Sequence, residues 1–304
     1  MEVLVTGGSG LVGKNLVEVL RKRGISVNSP GRGELDLMMK KQVDDYLELR
    51  LPDIVVHCAG LVGGIHANIA RPYDFAALNY SMGYNLVDGC IKNNIPKLIN
   101  LGSSCMYPKE GMNPLIEESI LTGALEPTNE GYAIAKIAIS RLCAYANMQY
   151  DTNYKTLIPC NIYGKFDDFS LEASHLIPGV IHRMHANKQS GKGAMTIWGN
   201  GEVRREFMYA SDLAEFICFT IENYDEIPEL MNVGMGFDYS IMEYYEMISE
   251  IVGYTGSFDF DLSKPVGMKQ KLVDTTIQEN LGWNPPTKTK SGIGKTYSYF
   301  LEHY

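Results

Sequence analysis

Along the first half of the chain, short β-branched runs alternate with longer segments whose apolar residues recur at helical spacing, and few folds can bury such a pattern. The runs "EVLVT", "ISVNS", "DIVVHCA", "KLINLGS" and "YKTLIPCNIYG" read as strands. Between them, "LVGKNLVEVLRKRG", "KKQVDDYLELR", "DFAALNYSMGYNLVDGCIKNN" and "GYAIAKIAISRLCAYANMQYD" read as helices, the first stopped at Gly24. Strands that are apolar on both faces and separated by such helices predict βαβ units and a parallel sheet covered on both sides. The expected class is therefore α/β, a doubly wound parallel sheet of Rossmann type with a smaller α/β domain beside it. The second half is less regular. It predicts helices near 174–188, 211–223, 240–252 and 290–302, and short strands near 195–198, 230–233 and 257–260. The sheet domain is expected to take residues 1–164 and about 206–235. The smaller domain takes about 165–205 and 236–304, so the two are interleaved.

Composition removes several function classes. At 304 residues, with 45% hydrophobic and 21% charged residues, the chain has the balance of an ordinary soluble protein with a sizeable core. No apolar run approaches the length of a membrane span, and "MEVLVTGG" enters a strand without the regions of a signal peptide. A formal charge of −9 argues against nucleic acid as a partner. The cysteines at 58, 90, 105, 143, 160 and 218 form no C-x-x-C pair. That spacing predicts reduced thiols in a cytoplasmic protein rather than disulfides or a metal site.

Two motifs carry chemistry. "VTGGSGLVG" places Gly7, Gly10 and Gly13 directly after the first strand and at the start of the first helix. There the backbone can approach a pyrophosphate, which the free N–H groups of the helix end attract. At the end of the second strand, where an NAD site usually carries Asp or Glu, the sequence has Ser29, and Arg32 follows. A carboxylate repels a 2′-phosphate and a guanidinium binds it, so NADPH/NADP+ is the expected cofactor. The second motif is Tyr132 and Lys136, four apart in "GYAIAKIA" and hence on one helix face, with Ser103 at a strand end some thirty residues earlier. An ammonium beside a phenol is expected to lower its pKa, so that Tyr132 exchanges a proton with a carbonyl oxygen that Ser103 orients.

These residues resemble the extended short-chain dehydrogenase/reductases, which act on nucleotide sugars. The segments "VGGIHANIARPYDF", "NLGSSCMYPK", "LEPTNEGYAIAKIA", "SHLIP" and "IWGNGEVRREF" extend the resemblance over nearly the whole chain. They place it closest to the branch that acts on GDP-4-keto-6-deoxy-D-mannose. The resemblance implies epimerisation at carbons 3 and 5 of the hexose, followed by reduction of the ketone at carbon 4 with NADPH. It also implies that Cys105 is the base and His175 the acid of the epimerisation. By themselves these two read better as a small buried thiol and a helix-start histidine. Yet a thiol and an imidazole both exchange protons near neutral pH.

By the same resemblance the cofactor meets Gly7, Gly8, Ser9 and Gly10, then Leu11, Val12, Gly13 and Arg32. Further along it meets Leu101, Gly102, Ser104 and Lys136, and lastly Pro159, Asn161, Ile162 and His175. Arg183, Trp198, Arg205 and Asp274 match positions that contact the GDP-sugar. Lys264 and Lys271, in "SKPVGMKQKLVD", could face the diphosphate, but a solvated charge run is the default. The family also implies a homodimer through two long helices, about 74–93 and 131–151, whose Ala76, Ala77, Ala135 and Ala138 allow close approach. Two departures stand out: "GGSG" lacks the His-Arg that bacterial relatives often carry, and "YGKFDDF" replaces a Tyr-Gly-Pro opening. Two alternatives remain. A related reductase or epimerase of another nucleotide sugar would use Ser103, Tyr132 and Lys136 but not Cys105. A non-catalytic NADP(H)-binding regulatory protein would have a damaged triad, and this one is intact.

Overall fold

A computed structural model describes residues 1–171, 174–191, 193–264 and 267–304. The chain begins β1 (Glu2–Thr6), α1 (Leu11–Lys22), β2 (Ser26–Asn28), α2 (Lys40–Arg50) and β3 (Ile54–His57). It continues with α3 (Ile65–Ala70), α4 (Pro72–Lys92), β4 (Lys97–Leu101), α5 (Glu130–Gln149), β5 (Asn153–Pro159) and β6 (Asn161–Tyr163). Then come α6 (Leu176–Ser190), β7 (Ala194–Trp198), β8 (Arg204–Arg205), β9 (Phe207–Tyr209), α7 (Ala210–Glu222) and β10 (Leu230–Val233). The last elements are β11 (Tyr239–Ser240), α8 (Ile241–Val252), β12 (Ser257–Asp261), β13 (Gln270–Lys271), α9 (Thr276–Asn280) and α10 (Thr289–His303).

The main sheet has six strands in the order β10-β5-β4-β3-β1-β2, all paired in parallel. This is the doubly wound sheet that the alternating runs predict. Its strands are almost wholly apolar because helices cover both faces: Val3, Val5, Val56, Ile99 and Leu157 join one core cluster, and Leu4, Val55, Leu98 and Tyr154 join another. β1 has β2 on one side and β3 on the other, so the strand order reverses there. In such sheets the ligand crevice lies beyond the carboxyl ends of the strands at that reversal.

The expected strand over 154–164 divides in two. β5 stays in the main sheet, whereas β6 leaves it at Cys160 and pairs with β9. Tyr163, Phe207 and Tyr209 then pack with Ile177, Ile181, Tyr244, Ile248 and Phe300 in a separate apolar cluster. Smaller sheets, β11-β8-β13 and β12-β7, border that cluster. Glu206 ties the two parts together. Fully buried, it accepts hydrogen bonds from the N–H groups of Met235, Gly236 and Val273. Burial pushes its carboxyl up to about 7, against the three donors that pull it down. The consequence is positional: the segment leading from β13 to Asp274 is fixed against the end of β10. The two-residue strands β8, β11 and β13 and the short helices α3 and α9 are too brief for periodicity to announce.

No helix among the described residues is long and apolar enough to cross a membrane. All six cysteines are free thiols.

Candidate active site

The glycine loop follows β1 at the reversal point. Gly7 has φ +70°, and a Cβ there would lie 2.5 Å from the backbone nitrogen of Ala59, just past β3. Only glycine lets these two strand ends close on each other. α1 begins at Gly10, whose N-cap position offers no side-chain acceptor, and no acidic residue occupies its first turn. The N–H groups of Leu11, Val12 and Gly13 therefore present a positive helix end without a competing carboxylate. The loop has the shape and the polarity that a dinucleotide pyrophosphate requires. Ser29 lies directly against it, its Oγ in the space that a Cβ on Gly8 would fill.

Arg32 stands beyond β2 with its side chain 81% exposed, and its Nε donates to Asp36 at 3.3 Å. No carboxylate stands at the strand end itself, since Asp36 comes four residues after the arginine. An exposed pair of this kind contributes about 0–1 kcal/mol, so it competes weakly with a phosphate.

Two strand ends and one helix assemble the chemistry. β4 stops at Leu101; Gly102 continues its ladder by donating to the Leu157 carbonyl at 2.7 Å, and Ser103 then opens a short 3-10 turn that buries Ser104. The Ser103 hydroxyl accepts from the Cys105 N–H at 3.2 Å, which fixes the turn and sets both side chains at the mouth of the sheet. At the end of β5, Pro159 is followed by Asn161, whose amide donates to the Glu206 carbonyl at 2.8 Å, and then by Ile162. α5 brings Tyr132 and Lys136 against the turn. The buried Lys136 ammonium donates to the Leu101 carbonyl at 2.7 Å and lies 5.8 Å from the Tyr132 ring centre.

The electrostatics correct one expectation. The Tyr132 phenol is not lowered by its lysine neighbour. Burial pushes it well above the usual phenol range, the charge of Cys105 adds to that rise, and hydrogen bonding with Ser103 only partly offsets it. Lys136 spends its short hydrogen bond on Leu101, and burial lowers the ammonium itself to about 8. In this state the phenol keeps its proton, which is the form an acid needs.

Cys105 is half-buried and has partners that the sequence did not reveal. Asn129 donates to its sulfur at 3.0 Å, and Lys271 reaches the sulfur at 3.8 Å from β13. Lys271 is 9% exposed, so the solvated charge run expected over this segment is wrong at that residue, although Lys264 is exposed. Asn129 had a visible signal as the residue before a helix. Lys271 had none, because only the pairing of β13 with β8 carries it to the site.

The other expected site residues have contacts of their own. His175 is the N-cap of α6, and burial lowers its imidazole while Asp168 raises it. No hydrogen bond among the described residues joins His175 to Cys105 or Tyr132. Arg183 donates to its own helix at Gly179 and to the Tyr245 hydroxyl. Arg205, opposite Lys271 in the β8–β13 pair, donates to the Arg204 and Met268 carbonyls at 2.7 Å. Trp198 ends β7 with the His66 ring edge-on at 4.7 Å and the Lys264 ammonium at 5.8 Å. Asp274 accepts from the Thr276 N–H at the start of α9. The loop of "YGKFDDF" rests on α1: Asn15 donates to the Lys165 carbonyl, and Lys165 pairs with Glu18 at 2.8 Å.

A dinucleotide cradle at a sheet reversal, with Ser103, Tyr132 and Lys136 beside it, matches the architecture of one family, whose model aligns with residues 3–234. The chain belongs to the NAD dependent epimerase/dehydratase family. Among curated members of the epimerase/dehydratase family, it is 50% identical over 302 residues to a GDP-L-colitose synthase of Yersinia pseudotuberculosis, covering 99% of this chain and 98% of that one. It is 45% identical over 300 residues to a GDP-L-fucose synthase of Azorhizobium caulinodans, covering 99% and 96%. Its fold superposes with a TM-score of 0.90 on a GDP-mannoheptose C4 reductase of Campylobacter jejuni with NADP bound, at 33% identity and with 99% and 98% of the two chains covered.

Proposed function

We propose that the protein converts GDP-4-keto-6-deoxy-D-mannose to GDP-L-fucose, epimerising carbons 3 and 5 and then reducing the ketone at carbon 4 with NADPH. The observation that carries this reading is the placing of two chemistries in one turn. Ser103 faces the phenol of Tyr132, and two residues on, Cys105 offers a sulfur held by nitrogen donors. Bound NADPH supplies the hydride. Ser103 hydrogen-bonds the ketone oxygen, and Tyr132 gives that oxygen a proton while Lys136 fixes the turn through Leu101. The hydrogens on carbons 3 and 5 are acidic because both carbons adjoin the ketone. Cys105 removes them and His175 returns protons from the other side. Arg183, Arg205, Trp198 and Asp274 hold the GDP-sugar.

Incubation with the keto-sugar and NADPH in deuterated water tests this. Deuterium at carbons 3 and 5 and a product of fucose stereochemistry are expected; reduction without exchange would mean that only the reductase half is present. A second reading is favoured by the 50% identity to a GDP-L-colitose synthase. Colitose is fucose without the hydroxyl at carbon 3, so offering the two corresponding keto-sugars in competition separates the readings by relative kcat/KM.

Arg32 is proposed to select NADPH by binding its 2′-phosphate. Hydrogen bonds to charged groups contribute on the order of 1.5–3 kcal/mol. Arg32→Ala is therefore expected to weaken NADPH by roughly 10- to 100-fold and leave NADH almost unchanged, measured by fluorescence titration of both. Equal losses would assign Arg32 to the fold or the adenine.

The chain is also proposed to form a homodimer through α4 and α5. Ala135 is only 2% exposed, and Ala76 lies against Gly131 of its own chain, so these small residues pack α4 on α5 rather than on a partner. The outer face instead carries exposed Tyr73, Tyr80, Tyr84, Ile134, Tyr145 and Met148, with Tyr80 and Tyr84 stacked at 5.9 Å. Apolar exposure on this scale marks an association surface. Sedimentation at twice the chain mass is expected, and loss of that species in Tyr84→Glu would locate the interface.

A further inference from the structure

We infer that Lys271, with Asn129, holds Cys105 as a thiolate before substrate arrives, and that Lys271 is a positioning residue acting through the cysteine. The inference rests on the reading of Cys105 as the epimerising base and explains how such a base is ready at neutral pH.

Three observations carry it. The first is the donor pattern around the sulfur. Asn129 points its Nδ2 at Sγ from 3.0 Å and Lys271 its ammonium from 3.8 Å. Ser103 fixes the backbone of the same residue by accepting from its N–H. The two groups that reach the sulfur are thus an amide N–H and an ammonium, and donors of this kind favour negative charge.

The second observation is the state of Lys271 itself. It is buried, and no carboxylate among the described residues lies within ion-pair distance of it. It stands opposite Arg205 across the β8–β13 pair, and Arg205 has buried Glu126 as its nearer counter-charge. A buried ammonium is unfavourable unless a counter-charge is at hand. The sulfur of Cys105 is placed to be that counter-charge.

The third observation is what Asn129 does not do. It is the N-cap of α5, where an asparagine ordinarily turns its side-chain oxygen to the N–H groups of the first turn. Here it makes no cap bond, its Oδ1 is buried without a partner, and its Nδ2 goes to the sulfur. A helix-stabilising bond is given up for a contact with Cys105.

The test is the alkylation of Cys105 by iodoacetamide at pH 7 in the full-length protein without substrate, followed by peptide mass mapping to separate it from half-buried Cys58. Thiolate, not thiol, is the form that reacts. Lys271→Met is expected to slow alkylation roughly 10- to 100-fold, Lys271→Arg to restore most of the rate, and Asn129→Ala to give a smaller loss. A second measurement needs no lysine variant. Burial pushes the other five cysteines upward, so the ultraviolet thiolate absorbance at neutral pH should be that of one group and vanish in Cys105→Ala.

Wild-type alkylation in Lys271→Met, with only a raised KM for the GDP-sugar, would assign Lys271 to the diphosphate and overturn the inference. So would a thiolate absorbance unchanged by Cys105→Ala. Both readouts are taken without sugar. Failure of the epimerase reading would appear instead as missing deuterium exchange with the alkylation difference intact.

Discussion

Tyr132→Phe is expected to oxidise NADPH with the keto-sugar about 10²–10⁴-fold more slowly than the wild type and still to bind NADPH. The substitution removes one hydroxyl and keeps the ring, so the edge contact with Phe75 at 6.3 Å persists and the fold is not disturbed. What is lost is the proton for the ketone oxygen. The phenol suits that task because burial keeps it protonated. Stopped-flow oxidation of NADPH measures the step directly. A variant with most of its turnover intact would remove Tyr132 from the reaction and leave Ser103 or a water as the donor.

Cys105→Ser gives the second large effect, on a different bond. Serine nearly conserves the size of the side chain, but its hydroxyl is a far weaker acid than a thiol and holds its proton at neutral pH. Deuterium exchange at carbons 3 and 5 is expected to fall by about 10²–10⁴-fold, the range for a lost general base. Reduction does not need that base, because Ser103, Tyr132 and the Lys136–Leu101 contact are untouched. The product of slow NADPH oxidation should then be the unepimerised 6-deoxy sugar, identified by NMR. Exchange at the wild-type rate would make Cys105 an ordinary half-buried thiol and turn attention to His175.

The two variants divide the site along its construction. Ser103 and Cys105 share one short turn, in which the Cys105 N–H donates to the Ser103 hydroxyl and the Met106 N–H to the Ser103 carbonyl. In the proposed reaction, reduction draws on α5 behind that turn, while Asn129 and Lys271 of β13 contact the Cys105 sulfur in front of it.

Most of the sheet domain could be read from the chain because its signals are local. Val, Ile and Leu in the runs at 2–6, 54–57 and 97–101 report strands buried on both faces. Glycines at 7, 10 and 13 report a turn that must pass close to another backbone, and Ala59 supplies it. Tyr132 and Lys136 share a face because a helix repeats every 3.6 residues. Each of these follows from a stretch short enough for its own geometry to decide. The break at Cys160 was not legible: apolar residues continue through it, and the departure of β6 depends on its pairing with β9, nearly fifty residues away.

The electrostatics were the part that spacing could not supply. The four-residue spacing of Tyr132 and Lys136 fixes a common face, but not where the ammonium points. It points to Leu101, so burial rather than the lysine governs the phenol. Lys271 sits in a run of lysines that resembles a solvated surface. It is buried because β13 pairs with β8 and because Glu206 binds the N–H of Val273, two contacts between segments about 65 residues apart. The sequence by itself determined the secondary structure of the sheet domain, the cradle for a dinucleotide and the residue types of the reaction. Only the tertiary structure decided which charges surround Cys105. A charge interaction depends on distance and burial, and both are set by segments that meet only when the chain has folded.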